Sequence, residues 1–408
     1  MTMLWEEASE GLFLLLSFIY VIPLCFVILT IYLNYRPDQK SLSIILFGFF
    51  LFCLMAILEY EYNLAPFAPD VLFYEKILES GKIVGAEYGK SVRFYSFISF
   101  FPGLLALRHP LLFSILNVAI YFFALHLYIR AFEIYIGKKI REKVLFLFFG
   151  FIILYPYSYW VIPTPHREAY AIFAFAFFLY SLMFFLKWPR KGILFLIISN
   201  FFILVRYQLI LITLPFSILA MYIILWRKAK LDFPLRALIM FLITLPSLLC
   251  FIKLAQFFTG FKLNLNFLGS LRQFNYELYS ASGFAYGGDL QWDTPFNVLR
   301  NSFLLFLQYL FAPLPILHNN NVFQTFLLFL DLIFVLLILM IILKNFYNLR
   351  HYLFWFFLSF ISLFISSLYE FYYTATARHR IPFFLMLVLL ASQLWSDRKA
   401  EVKCAYRQ

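Results

Sequence analysis

Long apolar stretches dominate this sequence, and they restrict its fold more than any other feature. The chain has 408 residues, of which 64% are hydrophobic and only 13% are charged. A helix needs about 20 consecutive apolar residues to cross a bilayer, and many of the stretches approach that length. A membrane β-barrel would instead show short segments of alternating polarity. We therefore expect an all-α, polytopic integral membrane protein, with 1–408 forming a single transmembrane domain.

Hydropathy along the chain predicts about eleven transmembrane helices. The predicted spans are 11–33, 41–58, 109–132, 144–162, 169–187, 192–205, 208–226, 237–258, 322–343, 351–369 and 381–396. Two shorter apolar pieces, 91–107 and 298–313, contain or end in prolines. We expect these two to be re-entrant or interfacial helices that line a cavity without crossing the membrane. The polar segments 59–90 and 259–297 lie between spans.

The distribution of basic residues predicts the orientation of the chain. The most basic short loops are 138–143, 187–191, 227–236 and 344–350, and the C-terminal tail is also basic. Because cytoplasmic loops carry an excess of Lys and Arg, these loops are expected inside, with the N-terminus outside and the C-terminus cytoplasmic. The net charge of +12 then reflects topology, so we expect no nucleic-acid partner. The remaining unusual polar residues all fall on the outer face.

The segment EFYYTATARHRIP, which begins at Glu370, is the strongest functional signal in the chain. It places Arg378, His379 and Arg380 together on the outer face, where the positive-inside tendency predicts few basic residues. The planar guanidinium fork of arginine matches phosphate oxygens. We interpret Arg378 and Arg380 as ligands of a phosphate-bearing lipid and Tyr373 as a substrate contact. His379 is either a proton carrier or a further donor.

A second polar group opens the span that follows PTPHRE. His166 and Arg167 at this span mouth favour anion binding, and we count both as phosphate-binding candidates. Glu168 suits the positive end of a helix and either caps it, pairs with Arg167 or contacts substrate.

A third group, LVRYQLI, interrupts two predicted spans. Arg206 either snorkels to the interface or contacts a diphosphate. Tyr207 and Gln208 follow it directly and are substrate-binding candidates.

The 59–90 segment contains carboxylates that could act as a base. Asp70 follows Pro69 at the start of an amphipathic stretch, so it either caps a surface helix or accepts a proton from a substrate hydroxyl. Glu59 and Glu61 directly follow a span and are rival candidates, of which we retain Glu61 as a catalytic candidate.

The sequence contains none of the common nucleotide or metal motifs. It has no G-x-x-x-x-G-K-[ST], G-x-G-x-x-G, H-E-x-x-H, G-x-S-x-G, D-x-D or C-x-x-C. These absences argue against a nucleotide cofactor, a zinc hydrolase and a serine hydrolase. We expect no cofactor and no protein-bound metal, and we leave a divalent cation open.

Several segments resemble known bacterial membrane enzymes. PDVLFYEKILESGKI is similar to the first outer loop of GT-C type polyprenyl-phosphate-dependent glycosyltransferases. YPYSYWVIPTPHREAYAIF, LQYLFAPLPI and TATARHRIPFF resemble segments of Wzy/EpsG-like polysaccharide polymerases. These pieces are short and cover the chain thinly. One departure is that the acidic loop follows the second predicted span, whereas GT-C enzymes usually place it after the first.

The resemblance implies a GT-C-like fold and glycosyl transfer at the outer face of a bacterial inner membrane. The donor would be a sugar or oligosaccharide on polyprenyl phosphate or diphosphate, used in O-antigen, capsule or exopolysaccharide synthesis. Asp70 matches the loop carboxylate, Arg167 and Glu168 match the helix-opening pair, and Arg378 to Arg380 match the late basic triplet. The implied partners are the lipid-linked glycan, membrane lipid and polysaccharide-assembly proteins. The alternative is a transporter or flippase of lipid-linked glycans.

Overall fold

The computed structural model describes most of the chain, and regular structure in its described ranges is helical. The described ranges are 2–64, 68–83, 90–228, 290–311, 322–370 and 372–405, together with positions 253, 269–270, 273, 276–277 and 286. The predicted span 237–258, apart from position 253, and most of the polar segment 259–297 therefore lie outside the described residues.

Sixteen α-helices are assigned in these ranges, and a 3₁₀ helix at Ile203–Leu209 joins α9 to α10. In chain order they are α1 Thr2–Leu33, α2 Gln39–Tyr62, α3 Ala68–Ser80, α4 Lys90–Leu105, α5 Pro110–Ile136, α6 Glu142–Ile153, α7 Ser158–Val161, α8 Glu168–Lys187, α9 Pro189–Phe202, α10 Ile210–Lys228, α11 Pro295–Phe311, α12 Val322–Lys344, α13 Phe346–Leu349, α14 Leu353–Tyr369, α15 Tyr373–His379 and α16 Ile381–Ala405. A short 3₁₀ turn, Arg350–Tyr352, precedes α14.

Six of the described helical segments are long and apolar enough to cross a membrane. They are Leu14–Leu33, Gln39–Tyr62, Pro110–Ile136, Glu168–Lys187, Thr325–Lys344 and Phe346–Tyr369. Each coincides with a span predicted from hydropathy, so the chain is a multi-pass membrane protein. The total of eleven spans stays a prediction.

Helix α16 forms the centre of the bundle. Every residue from Phe383 to Ala391 is fully buried, which explains why this stretch is apolar on all sides. Helix α16 packs against α5, α6, α8, α12 and α14. Its first turn follows α15 directly, so the core fixes the position of the basic triplet at the start of α16.

The segment predicted as one span over 144–162 is divided in the structure. Helix α6 ends at Ile153, a turn follows through Pro156, and the four-residue α7 begins at Ser158. Proline disfavours the helical conformation of the residue before it, here Tyr155, and cannot donate a helical hydrogen bond. A hydropathy window does not detect this break because the short turn around Pro156 is averaged with the apolar residues on both sides of it.

Helix α4 matches the short apolar piece predicted over 91–107, and it contains Pro102. It packs against the 3₁₀ helix between α9 and α10 and against α5. At 16 residues it is shorter than a membrane span. Through these contacts α4 lies beside the segment that carries the predicted site residues.

Candidate functional site

A buried ion pair joins the start of α8 to the break between α9 and α10. Arg206 donates from Nη1 to Oε2 of Glu168 at 2.6 Å and from Nη2 to Oε1 at 2.8 Å. Arg206 can reach α8 because its backbone leaves the helical region, with φ −136° and ψ 92°. Glu168 lies in the first turn of α8, where the helix dipole favours a carboxylate. Both side chains are almost completely buried.

His166 bridges this pair to the basic triplet. Nη1 of Arg378 lies 3.3 Å from Nε2 of His166, and Arg can only donate, so Nε2 accepts. In a neutral ring the proton then sits on Nδ1, which lies 3.4 Å from Oε1 of Glu168. His166 therefore connects Arg378 to Glu168 through the two sides of one imidazole.

Side chains from α4 and α5 hold the turn that carries His166. Nδ2 of Asn117 donates to the carbonyl oxygen of Thr164 at 2.6 Å and to that of His166 at 3.3 Å. The Tyr95 hydroxyl donates to the carbonyl of Pro165 at 3.1 Å. These bonds satisfy buried carbonyl groups that no helix can satisfy, so they fix the turn.

His379 is oriented by a carboxylate from the same segment. Its Nδ1 contacts Oε1 of Glu370, and because an ionised carboxylate only accepts, Nδ1 carries the proton. In a neutral ring Nε2 is then free of a proton, and it lies 3.9 Å from Oε1 of Glu168. The His379 side chain is 13% exposed, compared with 1% for Glu168, so a substrate can reach the ring more readily than the carboxylate.

The surroundings of His379 favour its neutral form. Burial, followed by the positive charges of Arg206, Arg378 and Arg167, lowers the pKa of His379 well below its usual range. The Glu370 and Glu168 carboxylates oppose this shift, but two carboxylates face three guanidinium groups. His379 is therefore poised as a proton acceptor at neutral pH.

These residues form what we call the polar cluster, which is gathered from three separate parts of the sequence. Its members are His166, Arg167, Glu168, Arg206, Glu370, Arg378 and His379. Three guanidinium groups and two carboxylates leave one net positive charge when both histidines are neutral. Arg167, Arg206 and Arg378 each act electrostatically on both Glu168 and His379, so the positive charges are concentrated in one place. The complement of such a cluster is an anion.

Arg380 has a different environment from Arg378. It is completely buried and forms an ion pair with Asp331 of α12. Its Nη1 also donates to the carbonyl oxygens of Tyr309 and Leu310, each at 2.9 Å. These carbonyls lie in the last described turn of α11. The contacts favour a structural role for Arg380, which ties α11, α12 and α16 together.

Aromatic side chains pack against His166 and against α15, the helix that carries Arg378 and His379. The Tyr74 ring of α3 lies edge-on to His166 with centroids 4.7 Å apart. On another side, Tyr373 stacks on Tyr286 at 4.6 Å, and the Tyr286 hydroxyl lies 2.9 Å from Oγ1 of Thr376. Tyr373, a predicted substrate contact, is thus held beside the basic triplet. Aromatic rings and hydroxyls at such positions can bind sugar faces and exclude water.

Besides Arg380 and Tyr373, four predicted site residues are not brought into the cluster by described contacts. The side chains of Asp70 and Tyr207 lie outside the described part of the structure, although Asp70 lies in α3 four residues before Tyr74. Gln208 is half-buried, and Glu61 is exposed at the end of α2. Neither has a described contact with the polar cluster, so their roles stay predictions.

The structure adds residues that sequence reasoning did not select. Glu370 begins the basic segment in the sequence, and the structure shows that it is the partner of His379. Asp331 is the one acidic residue in its apolar span, and an ionisable residue within a span signals a buried partner. Asn117 has a similar signal, since it is a buried amide in an apolar helix.

Within the described ranges, no group of three or more His, Cys, Asp or Glu side chains is placed to hold a metal ion. Comparison with known proteins identified no relative: no family model, no curated protein and no solved structure matches the chain. The function must therefore be argued from the site itself.

Proposed function

We propose that this chain is a membrane glycosyltransferase whose donor is a sugar or oligosaccharide on polyprenyl phosphate or diphosphate. It works at the outer face of a bacterial inner membrane, in cell-surface polysaccharide synthesis, and a repeating transfer would make it a polymerase. The observation that carries the proposal is the polar cluster, which has a net positive charge at one end of a bundle of membrane helices. The complementary substrate combines an anionic head group with an apolar tail.

Two arginines of the cluster suit the donor phosphate best. Arg206 already uses both Nη groups on Glu168, and Arg380 is occupied by Asp331. Arg167 is the half-exposed guanidinium of the cluster, and Arg378 lies in the same segment as His379, so we assign both to the phosphate oxygens, with His166 orienting Arg378. A fixed positive charge at this position stabilises the negative charge that grows on the departing phosphate.

The cluster also supplies a base. In the proposed step, the acceptor hydroxyl oxygen forms a bond to the anomeric carbon of the donor sugar. The bond from that carbon to the phosphate oxygen breaks, and the polyprenyl phosphate or diphosphate leaves with the electron pair. Nε2 of His379 takes the hydroxyl proton, and Glu370 stabilises the resulting imidazolium. Asp70 is the alternative base, because its helix α3 contributes Tyr74 to the site.

The resemblance to GT-C enzymes supports the same chemistry. The segments that carry it include PTPHRE and TATARHRIP, which supply five of the seven members of the polar cluster: His166, Arg167, Glu168, Arg378 and His379. The aromatic side chains beside the cluster, Tyr74 and Tyr373, suit contacts with sugar rings.

The test is transfer by the purified chain in detergent. The probe is a pool of radiolabelled polyprenyl-diphosphate glycans, and products are separated on a gel. We expect product with the wild type, a fall of about 10²–10⁴-fold with His379→Gln, and a wild-type rate with His351→Gln, which replaces an exposed histidine far from the site. A ladder indicates a polymerase, and one added unit indicates a single transfer.

Other outcomes would revise the proposal. Loss of product with Asp70→Asn but not with His379→Gln would move the base to Asp70. No product from the wild type, together with movement of the labelled lipid across liposome membranes, would replace the enzyme by a flippase.

A further inference from the structure

A cavity lies beside the start of α14, at the end of this helix that is opposite the polar cluster. Its volume is about 540 Å³, within the range of roughly 300–1,000 Å³ that is common for small-molecule sites. The loop between α5 and α6 contributes Lys138 and Arg141 to its wall. The segment before α14 contributes Asn348, His351 and Tyr352.

The geometry of α14 separates the two sites by the thickness of a membrane. Helix α14 begins at Leu353, beside the cavity, and ends at Tyr369, beside Glu370. Its 17 residues span roughly 25 Å at 1.5 Å per residue, close to the hydrocarbon thickness of about 30 Å. The cavity therefore lies at the opposite interface from the polar cluster. The basic residues of the 138–143 loop favour the cytoplasmic side.

The cavity wall has a surplus of positive charge. Lys138 and Arg141 are both exposed, and neither forms an ion pair or hydrogen bond to a side chain in the described structure. Asp397 also lines the cavity, but it already accepts hydrogen bonds from the Tyr352 hydroxyl at 2.8 Å and from Gln393 at 3.0 Å. Two cations thus remain available to a ligand.

An apolar track leads from the cavity along α14. Leu353, Phe354, Phe357 and Ile361 share one face of the helix and are 42%, 38%, 54% and 44% exposed. The track starts directly after Tyr352, and the ring of Phe354 lies 5.7 Å from that of Tyr135, which also lines the cavity. A ligand with a charged head and apolar chains fits this combination.

We propose that the cavity binds the phosphodiester head group of an anionic phospholipid from the cytoplasmic leaflet. Lys138 and Arg141 bind the phosphate, and the other side chains of the cavity wall surround the glycerol. The acyl chains lie along the exposed face of α14. Basic cavities between membrane helices on the cytoplasmic side commonly bind such lipids. This inference does not depend on the proposed enzyme activity.

The experiment measures lipid binding to the purified full chain in detergent by native mass spectrometry. The probes are dioleoyl phosphatidylglycerol, dioleoyl phosphatidylcholine and inorganic phosphate. The test variant is Lys138→Ala/Arg141→Ala. The matched control is Arg190→Ala/Lys191→Ala, which removes two exposed positive charges from another loop without touching the cavity. Lys138→Arg/Arg141→Lys keeps the charge and checks that the loop tolerates substitution.

We expect phosphatidylglycerol to bind the wild type, the control and the charge-keeping variant with similar affinity. Binding to Lys138→Ala/Arg141→Ala should be at least about tenfold weaker, since each cation contributes about fivefold. Equal loss in the control would show diffuse attraction to the basic face and overturn the site. Equal binding of phosphatidylcholine, or competition by inorganic phosphate at matched concentration, would overturn the anionic lipid as its ligand.

Discussion

Arg206 donates two hydrogen bonds to Glu168, at 2.6 and 2.8 Å, across 38 residues of sequence. This pair fastens the start of α8 to the break between α9 and α10. It also fixes the carboxylate that lies near both His166 and His379. The position of the polar cluster therefore depends on one bidentate contact between two side chains buried in a membrane protein.

Removal of one partner from this contact should destabilise the fold. Arg206→Gln leaves the Glu168 carboxylate buried without its main cation, and a loss of about 3–5 kcal/mol is expected. The measurement is thermal unfolding in detergent. Arg130→Gln is the matched control, because Arg130 also pairs with a glutamate, Glu133, but is 43% exposed, and its loss should be about 1 kcal/mol or less.

The double variant Arg206→Gln/Glu168→Gln completes this test. In this variant both charges are gone. Glu168→Gln should therefore lower the free energy of unfolding much less in the Arg206→Gln background than in the wild type, and a double-mutant cycle measures this difference. Equal losses for Arg206→Gln and Arg130→Gln would show that the buried pair does not hold the site together.

Two apolar side chains should be able to replace the ion pair of Arg380 and Asp331 without loss of function, unlike the residues of the polar cluster. Arg380→Met alone leaves a buried carboxylate and should lower the unfolding temperature strongly. Arg380→Met/Asp331→Leu removes both charges and should recover most of that loss, except for about 1–3 kcal/mol from the carbonyls of Tyr309 and Leu310. If the double variant is stable but no longer binds polyprenyl diphosphate, Arg380 is a phosphate ligand and its structural assignment fails.

Asn117 should act as a positioning residue for the site. Asn117→Ala removes the bonds to the carbonyls of Thr164 and His166, so we expect a stability loss of about 1–3 kcal/mol and a clear fall in kcat. Asn345→Ala is the matched control, since this buried amide donates to the Ile341 carbonyl at 2.6 Å far from the cluster. We expect the two variants to lose similar stability. Only Asn117→Ala should lower kcat. Equal kcat values would argue against positioning.

His379 should make the stability of the protein depend on pH. Its folded pKa is lowered below the unfolded value of about 6.5, so the unfolded chain binds more protons between these two pKa values. The contribution to stability is therefore complete above pH 6.5 or so and is lost as the pH falls towards the folded pKa. Unfolding temperatures between about pH 5 and pH 8 should show this acid decline in the wild type and in His351→Gln. A decline of the same size in His379→Gln would assign it to other groups.

Sequence reasoning was most successful where one physical requirement dominates. The span predicted over 169–187 is helix α8, Glu168–Lys187, because membrane thickness sets its length and charged residues mark both ends. The start of this helix, PTPHRE, also carries part of the site. The division of the span over 144–162 was missed, since its turn at Pro156 is short and the apolar residues on both sides dominate the average hydropathy.

The choice of partners could not be predicted from the sequence. Arg378 and Arg380 are two residues apart and look equivalent in the sequence. Arg378 nevertheless contacts His166, whereas Arg380 forms an ion pair with Asp331. This difference arises because α15 ends between them and α16 enters the core. Arg206 was similarly ambiguous between the interface and a ligand, and its contact with Glu168 depends on the packing of α8 against the α9–α10 break.

The central claim is that the polar cluster binds the phosphate of a polyprenyl lipid through Arg378. The most direct test is equilibrium binding of radiolabelled polyprenyl diphosphate to the purified chain in detergent, with uncharged polyprenol as competitor. The account predicts binding that polyprenol does not displace, roughly ten- to hundredfold weaker for Arg378→Gln and unchanged for Arg190→Gln. Equal affinity in all three proteins, or displacement by polyprenol, would contradict it.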